Sequence, residues 1–310
     1  MLLLLLVVAG CSDDSVEPKP DPPTSEGSAE SIPTGSASEV RESLSRLDPC
    51  GLIEPLVSDS SDRRVQGDPN RCTVPAGAGY LAVVVGVPFD EADRAKADNP
   101  ANRLEALDVE GLRAYKTSFS DSQSCYITFA VGAHHGIAIE SDDHCSTAED
   151  AATVVATQLQ SEDPPLRPRS DPQNHTACGL LGSAYEGGVE PTEAPGGLSS
   201  CSSESDSTVE GIELNITYMD IDLDAFSAED GERTRVAGRD VFLKTEPADC
   251  VAYTILGKTS AKHAAGPNVQ LSMGGETCDS VTSLLPDVTK AWAAAPPDSG
   301  DFSQYLVRIR

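Results

Sequence analysis

Large aromatic rings are scarce in this chain: one Trp, seven Tyr and six Phe make up 5 % of its 310 residues. Its cores must therefore be built mainly from aliphatic side chains, without the rings that usually dominate burial. Cations are scarce too, with 22 Lys and Arg against 50 Asp and Glu and a formal charge of −28. Nucleic acids and anionic bilayer faces are held by clustered Lys and Arg, so this balance argues against both as charge-bound partners. No apolar run approaches the roughly 18 residues a permanent membrane helix needs. The GxSxG, HExxH, P-loop and CxxC spellings are missing as well, which removes the usual sequence signatures of hydrolases, zinc peptidases, nucleotidases and dithiol redox enzymes. Carboxylates are so abundant that no single acid pair stands out as an acid–base site.

Three weaker motifs lose to plainer readings. Gly77-Ala-Gly79-Tyr-Leu-Ala82 spells the dinucleotide pattern GxGxxA. That chemistry needs the glycines between a strand and a helix N-terminus, whereas here they precede a valine-rich strand, so a turn is expected. His134, His135 and His144 are expected on exposed loops, because the cysteines that would complete a zinc set are assigned to disulfides. Asp220, Asp222 and Asp224 fall on one face of an extended segment. The glycine of an EF-hand loop is absent, so a solvated strand face is expected, with calcium as the alternative. No metal and no cofactor are expected.

Met1–Gly10 is almost unbroken apolar sequence followed by Cys11. Ten residues are too few to span a bilayer and read as the h-region of an export signal. Val8-Ala9-Gly10-Cys11 resembles a bacterial lipobox, in which Cys11 is diacylated and becomes the mature N-terminus. Two acyl chains suffice for stable anchoring, which places the protein on the extracytoplasmic side of the cell membrane. Residues 11–45 are rich in Ser, Pro, Gly and acids and are expected to form a lipidated disordered tether.

Eight cysteines remain, in two quartets: Cys50, Cys72, Cys125, Cys145 and Cys178, Cys201, Cys250, Cys278. Their surroundings repeat. Cys50-Gly51-Leu52 matches Cys178-Gly179-Leu180, and Val109-x-Gly111-x-x-Ala114-Tyr115 matches Val236-x-Gly238-x-x-Val241-Phe242. Apolar positions after Cys145 and Cys278 agree in helical phase. The reading is a tandem duplication: unit one over 46–160, a Pro-rich linker over 161–174, unit two over 175–295 and a C-terminal tail over 296–310. In an exported protein the thiols are expected to be oxidised, and pairing of neighbours is favoured: Cys50–Cys72, Cys125–Cys145, Cys178–Cys201 and Cys250–Cys278. Each such loop contributes roughly 3 kcal/mol in the chain-entropy model.

Within each unit, Asp48-Pro49 predicts a helix start running to about Val57, and residues 90–107 predict a longer helix. Strands are expected over 81–87, 109–117, 125–131 and 136–140, with counterparts over 212–218, 236–244, 250–256 and 268–273. Ser146-Thr-Ala-Glu149 spells a capping box, and Pro286 predicts a kink or break in the last helix. The fold class is α+β: two tandem disulfide-stapled units, each an antiparallel sheet with helices packed at its ends.

Together the lipobox, the Ser/Pro tether, Asp48-Pro49-Cys50-Gly51-Leu52, Val109-x-Gly111, Cys125-Tyr126-Ile127 and the late Cys145 resemble the domain of unknown function 3558 of actinobacterial lipoproteins. The resemblance covers 46–160 well and 175–293 loosely, and it implies no catalytic residue. More distantly, the arrangement is similar to cysteine-paired extracytoplasmic sensor domains of receptor kinases. The functional expectation is a non-catalytic binding or sensing module at the cell envelope. Its partner would be an envelope protein, a cell-wall fragment or a small solute held between sheet and helix. A cationic partner is favoured by steering. An envelope hydrolase or transferase using carboxylates, and a structural spacer, are the alternatives.

Overall fold

The computed structural model describes residues 32–57, 64–97, 104–118, 124–184, 192–193, 197–203, 211–220, 223–227, 231–245, 249–297 and 300–309. Cys11, the signal segment and most of the tether lie outside the described residues. Unit one contains α1 (Ala37–Leu44), α2 (Pro49–Leu52), β1 (Val65–Asp68), β2 (Arg71–Ala76), β3 (Gly79–Pro88), α3 (Glu91–Ala97), β4 (Leu104–Val109), β5 (Leu112–Ser118), β6 (Cys125–Val131), β7 (His135–Ser141) and α4 (Cys145–Leu159). Unit two contains α5 (Ala177–Ala184), β8 (Thr192–Glu193), β9 (Ser200–Ser202), β10 (Glu213–Met219), β11 (Glu232–Val236), β12 (Arg239–Thr245), β13 (Cys250–Lys258), β14 (Asn268–Gly275) and α6 (Cys278–Ala293).

Each unit is a seven-stranded sheet, ordered β1-β2-β3-β7-β6-β5-β4 in one and β8-β9-β10-β14-β13-β12-β11 in the other. Counted from its own first strand, each sheet has the same order. All strand neighbours are antiparallel, which gives the α+β class.

One face of each sheet is closed by helices. Ile127, Phe129, Ile137 and Ile139 meet Ala148, Ala152, Val155 and Leu159 of α4 in one core; Leu214, Ile216, Leu271 and Met273 meet Val281, Leu285, Val288 and Trp292 of α6 in the other. The alternation expected in 212–218 is real: Leu214, Ile216 and Tyr218 are buried while Asn215 and Thr217 are only partly so. The four disulfides join Cys50 to Cys72, Cys125 to Cys145, Cys178 to Cys201 and Cys250 to Cys278, with Cα separations of 5.0–5.1 Å. Each ties a helix to a strand, in the neighbour pairing favoured from the sequence.

Several local expectations change. Only Glu91–Ala97 of the 90–107 segment is described as helix, because Leu104–Val109 alternates and pairs with β5. The strand expected over 109–117 forms from Leu112 on, but it begins after a hairpin turn: Glu110 and Gly111 take left-handed φ of 54° and 79°, as Ala237 and Gly238 do at 50° and 83°. These are the conformations a two-residue β-hairpin turn demands, so the repeated Val-x-Gly is a turn motif. Ser146 caps nothing. His144 is the N-cap without a side-chain bond, because Cys145, held by its disulfide, is already helical. The helix α6 runs through Pro286 from Cys278 to Ala293; burial of Val281, Leu285, Val288 and Trp292 outweighs the ~3 kcal/mol cost of a helix-interior proline.

The boundaries shift most. Ala37–Leu44, placed in the tether by composition, is a helix with a capping box between Ser36 and Glu39, and it buries Val40 and Leu44 in the first core. The linker is docked rather than loose. Asp48 N–H donates to Pro165 O (2.9 Å) and Arg167 N–H to Arg46 O (2.7 Å), and the Arg167 guanidinium donates to Ser45 O (2.8 Å) and Pro69 O.

The units interlock. Leu198 of unit two is fully buried in the first core. It sits against Gly86, whose φ of +77° marks a β-bulge in β3 and where an added Cβ would lie 2.2 Å from Leu198 Cγ. Gln66 N–H donates to His263 O (2.7 Å), and Ala265 N–H donates to Gln66 O (2.8 Å). Finally, the 296–310 tail returns to unit one, where Phe302, Tyr305 and Leu306 join the core.

Candidate functional site

The face of the first sheet turned away from α4 carries an open, mainly apolar concavity. The bulge at Gly86 ends the regular run of β3. Phe89, just beyond it, packs on Tyr115 with ring centroids 4.9 Å apart. Asp90 then starts α3 by accepting from Ala92 N–H (2.8 Å) and Asp93 N–H (3.1 Å). The buried Arg94 guanidinium donates to Gly132 O and lies 5.9 Å from the Phe89 ring centroid, pinning the helix over the sheet. Between α3 and the strands remains a cleft of about 470 Å³, floored by Tyr126, Thr128 and Ala138 and walled by Val87, Phe89 and Leu104.

Its three charged side chains, Asp93, Lys96 and Glu140, are paired. Asp93 and Lys96 of α3 form an ion pair, and the hydrogen bond to Asp93 raises the Lys96 pKa. On the floor, Glu140 accepts from Arg71 at 2.6 Å. Tyr126 is held protonated: burial first, then the adjacent Glu140 charge, raises its pKa. A pocket with apolar walls and a few fixed polar groups suits a small, mostly apolar ligand.

Among the described residues, the one acid whose pKa is raised is Asp68, and burial is the main cause. The residue keeps some surface in solvent, yet its carboxylate is enclosed. It accepts from Ser199 Oγ of unit two (2.7 Å) and Asn70 N–H (2.8 Å). It lies at the joint between units and does not line the cleft. A second, polar cleft of about 470 Å³ lies across that joint, lined by Asp48, Glu54, Arg64, Arg167, Asp171 and Lys262 among others.

Gly77 takes a φ of +56° in the turn between β2 and β3, as a turn reading requires. His134 and His144 are exposed, but His135 is 2 % exposed in β7, which corrects its placement on a loop. Among the described residues no three His, Cys, Asp or Glu side chains form a group that could hold a metal. Asp222 lies outside the described residues. Asp220 follows the end of β10, and Asp224 sits in a 3-10 turn where it pairs with Arg233 at 2.5 Å. Asp220 and Asp224 therefore do not share a strand.

Sequence reasoning missed the cleft. A partial signal was present: beside Tyr126 and Glu140, the outward positions Thr128, Ala130, Gly136 and Ala138 of β6 and β7 are small and uncharged, as expected where something covers that face. Comparison with protein-family models, curated proteins and solved structures gives no match.

Proposed function

We propose that the protein is a non-catalytic extracytoplasmic lipoprotein of the cell envelope, anchored through Cys11, whose first unit binds a small apolar solute between α3 and the sheet. We read the two units as copies of one ancestral domain resembling the domain of unknown function 3558. Their common strand order and equivalent disulfides support this. The cleft carries the functional reading: its walls are apolar and its charged groups are already paired, Asp93 with Lys96 and Glu140 with Arg71.

The test is titration of the intact protein with a fluorescent fatty acid, cis-parinaric acid. Saturable binding that weakens about tenfold or more, over 1.4 kcal/mol, in Ala138→Phe and Thr128→Phe is the expected result. No binding to the folded wild type, or binding unaffected by both variants, would exclude the cleft as a receptor site. In the same preparations the wild type should enter the detergent phase and Cys11→Ser the aqueous phase; finding both in water refutes the anchor.

A further inference from the structure

The two units differ at one equivalent place. In unit one, β5 and β6 pair from Ser118↔Cys125 to Ala114↔Phe129, and there the ladder stops. Beyond it the strands part, and the C-terminal tail enters between them. Val307 N–H donates to Ala130 O (3.2 Å) and Gly132 N–H to Tyr305 O (2.7 Å) on one side; Arg113 N–H donates to Val307 O (2.9 Å) and Ile309 N–H to Gly111 O (3.1 Å) on the other. An extended segment of chain thus completes the end of the sheet.

In unit two, β12 and β13 pair from Thr245↔Cys250 to Val241↔Thr254, and the ladder stops at the same register. Ala130 corresponds to Ile255, Gly132 to Gly257, Arg113 to Asp240 and Gly111 to Gly238. Among the described residues no segment enters here. A groove of about 960 Å³ remains, bordered by Gly238, Asp240, Ile255 and Gly257 together with a ring of cations. Arg239 reaches across it, its guanidinium donating to Ile255 O (3.2 Å) and Leu256 O (3.5 Å). A side chain thus bonds the carbonyl whose counterpart, Ala130 O, receives the tail in unit one.

Charge marks the groove as well. Residues 175–295 contain seven Lys and Arg (Arg233, Arg235, Arg239, Lys244, Lys258, Lys262 and Lys290), and four of them, Arg233, Arg235, Arg239 and Lys258, line it. Two acids there, Asp224 and Asp240, pair with Arg233 and Arg235 on the exposed rim, which leaves a local excess of two positive charges on a strongly acidic protein.

We propose that this groove takes an extended acidic peptide segment of a partner protein, added as a strand between β12 and β13. Strand addition derives affinity from main-chain hydrogen bonds and specificity from side-chain contacts, and the groove offers both, in peptide groups at its borders and cations around them. The tail of a second copy fits poorly, since it carries Arg308 and is already seated in its own first unit.

Fluorescence anisotropy on the intact protein tests this with a short labelled peptide of alternating Glu and Val. Saturable binding is expected, weakened by added salt and reduced about tenfold or more by Arg239→Glu. Since Arg239 also holds two carbonyls, Lys258→Glu serves as a second variant with the same expectation. A peptide N-methylated at alternate residues should bind at least about tenfold more weakly. Equal binding of a Lys/Val peptide, undiminished binding of the N-methylated one, or no binding of the Glu/Val peptide would overturn the proposal. So would self-association through the groove, seen as a dimer in sedimentation that Arg239→Glu abolishes. None of these readouts involves the apolar cleft of unit one, so the two proposals fail independently.

Discussion

Unit one and unit two share a strand order, equivalent disulfides and the same left-handed hairpin turn, yet they end differently. The open end of the first sheet is filled by the tail and its outer face holds α3; the corresponding end of the second is a cationic groove. The difference teaches that one scaffold presents distinct surfaces once the segments outside its sheet change. It also separates net charge from local charge. A protein at −28 steers cations over long distances, but screening confines that field to about 8–10 Å, and within that range four basic side chains set the local preference.

The largest expected effect comes from breaking the filled end. Phe302 is 1 % exposed in the first core, so Phe302→Ala should cost about 3–5 kcal/mol. Trp292, the chain's one Trp, lies in the second core and reports on unit two. The far-UV transition should fall further than the Trp292 emission transition. A loss below about 1 kcal/mol would mean that the tail merely rests on the surface.

A somewhat smaller effect is expected at the joint. Leu198→Ala should cost about 2–5 kcal/mol in denaturant titration, with the first core losing contacts although the residue belongs to unit two. Gly86→Ala should also destabilise, because it adds a Cβ into Leu198 at a φ of +77° that only glycine adopts readily. Wild-type stability in both would show that the units only abut.

The smallest effect is a pH dependence confined to unit two. His175 packs on Trp292 at 5.5 Å between centroids, its Nε2 lies 3.2 Å from Ala294 O, and burial holds its pKa below the usual value. The unfolded chain therefore takes up the proton first, near pH 6.5. The neutral ring's contribution is complete above that pH and is lost as pH falls from there through the lower folded value. Melting followed by Trp292 emission should show this slope in the wild type and a flatter profile in His175→Gln; parallel profiles would refute the assignment.

Much of the fold was legible from local signals. Asp48-Pro49 opens α2, with the Asp48 carboxylate accepting from Cys50 N–H at 3.0 Å. The valine run 81–87 and the alternation of 212–218 became β3 and β10. Cysteine spacing suggested the pairs because each quartet places neighbours at the two ends of one helix–strand contact. Where local signals failed, a longer-range force had decided. Composition assigned Ala37–Leu44 to a tether, but Val40 and Leu44 had a core to enter. Ser146 was spelled as a cap, but a disulfide moved the helix start ahead of it. The cleft was harder still to see, since its members come from α3 and several strands and only the outward small residues of β6 and β7 hint at a covered face.

The residues alone determined the α+β class, the two cysteine quartets and the two antiparallel sheets, because periodicity and loop closure act over short stretches of chain; that helices back one face of each sheet, where packing at its ends was expected, came from the structure. Tertiary structure alone decided that the tail would close unit one, that Leu198 would lock the units together, and that four cations would surround a gap between β12 and β13. Those outcomes depend on which distant surfaces meet, and burial favours whichever apolar segment reaches an open core first in space, however far away it lies in sequence.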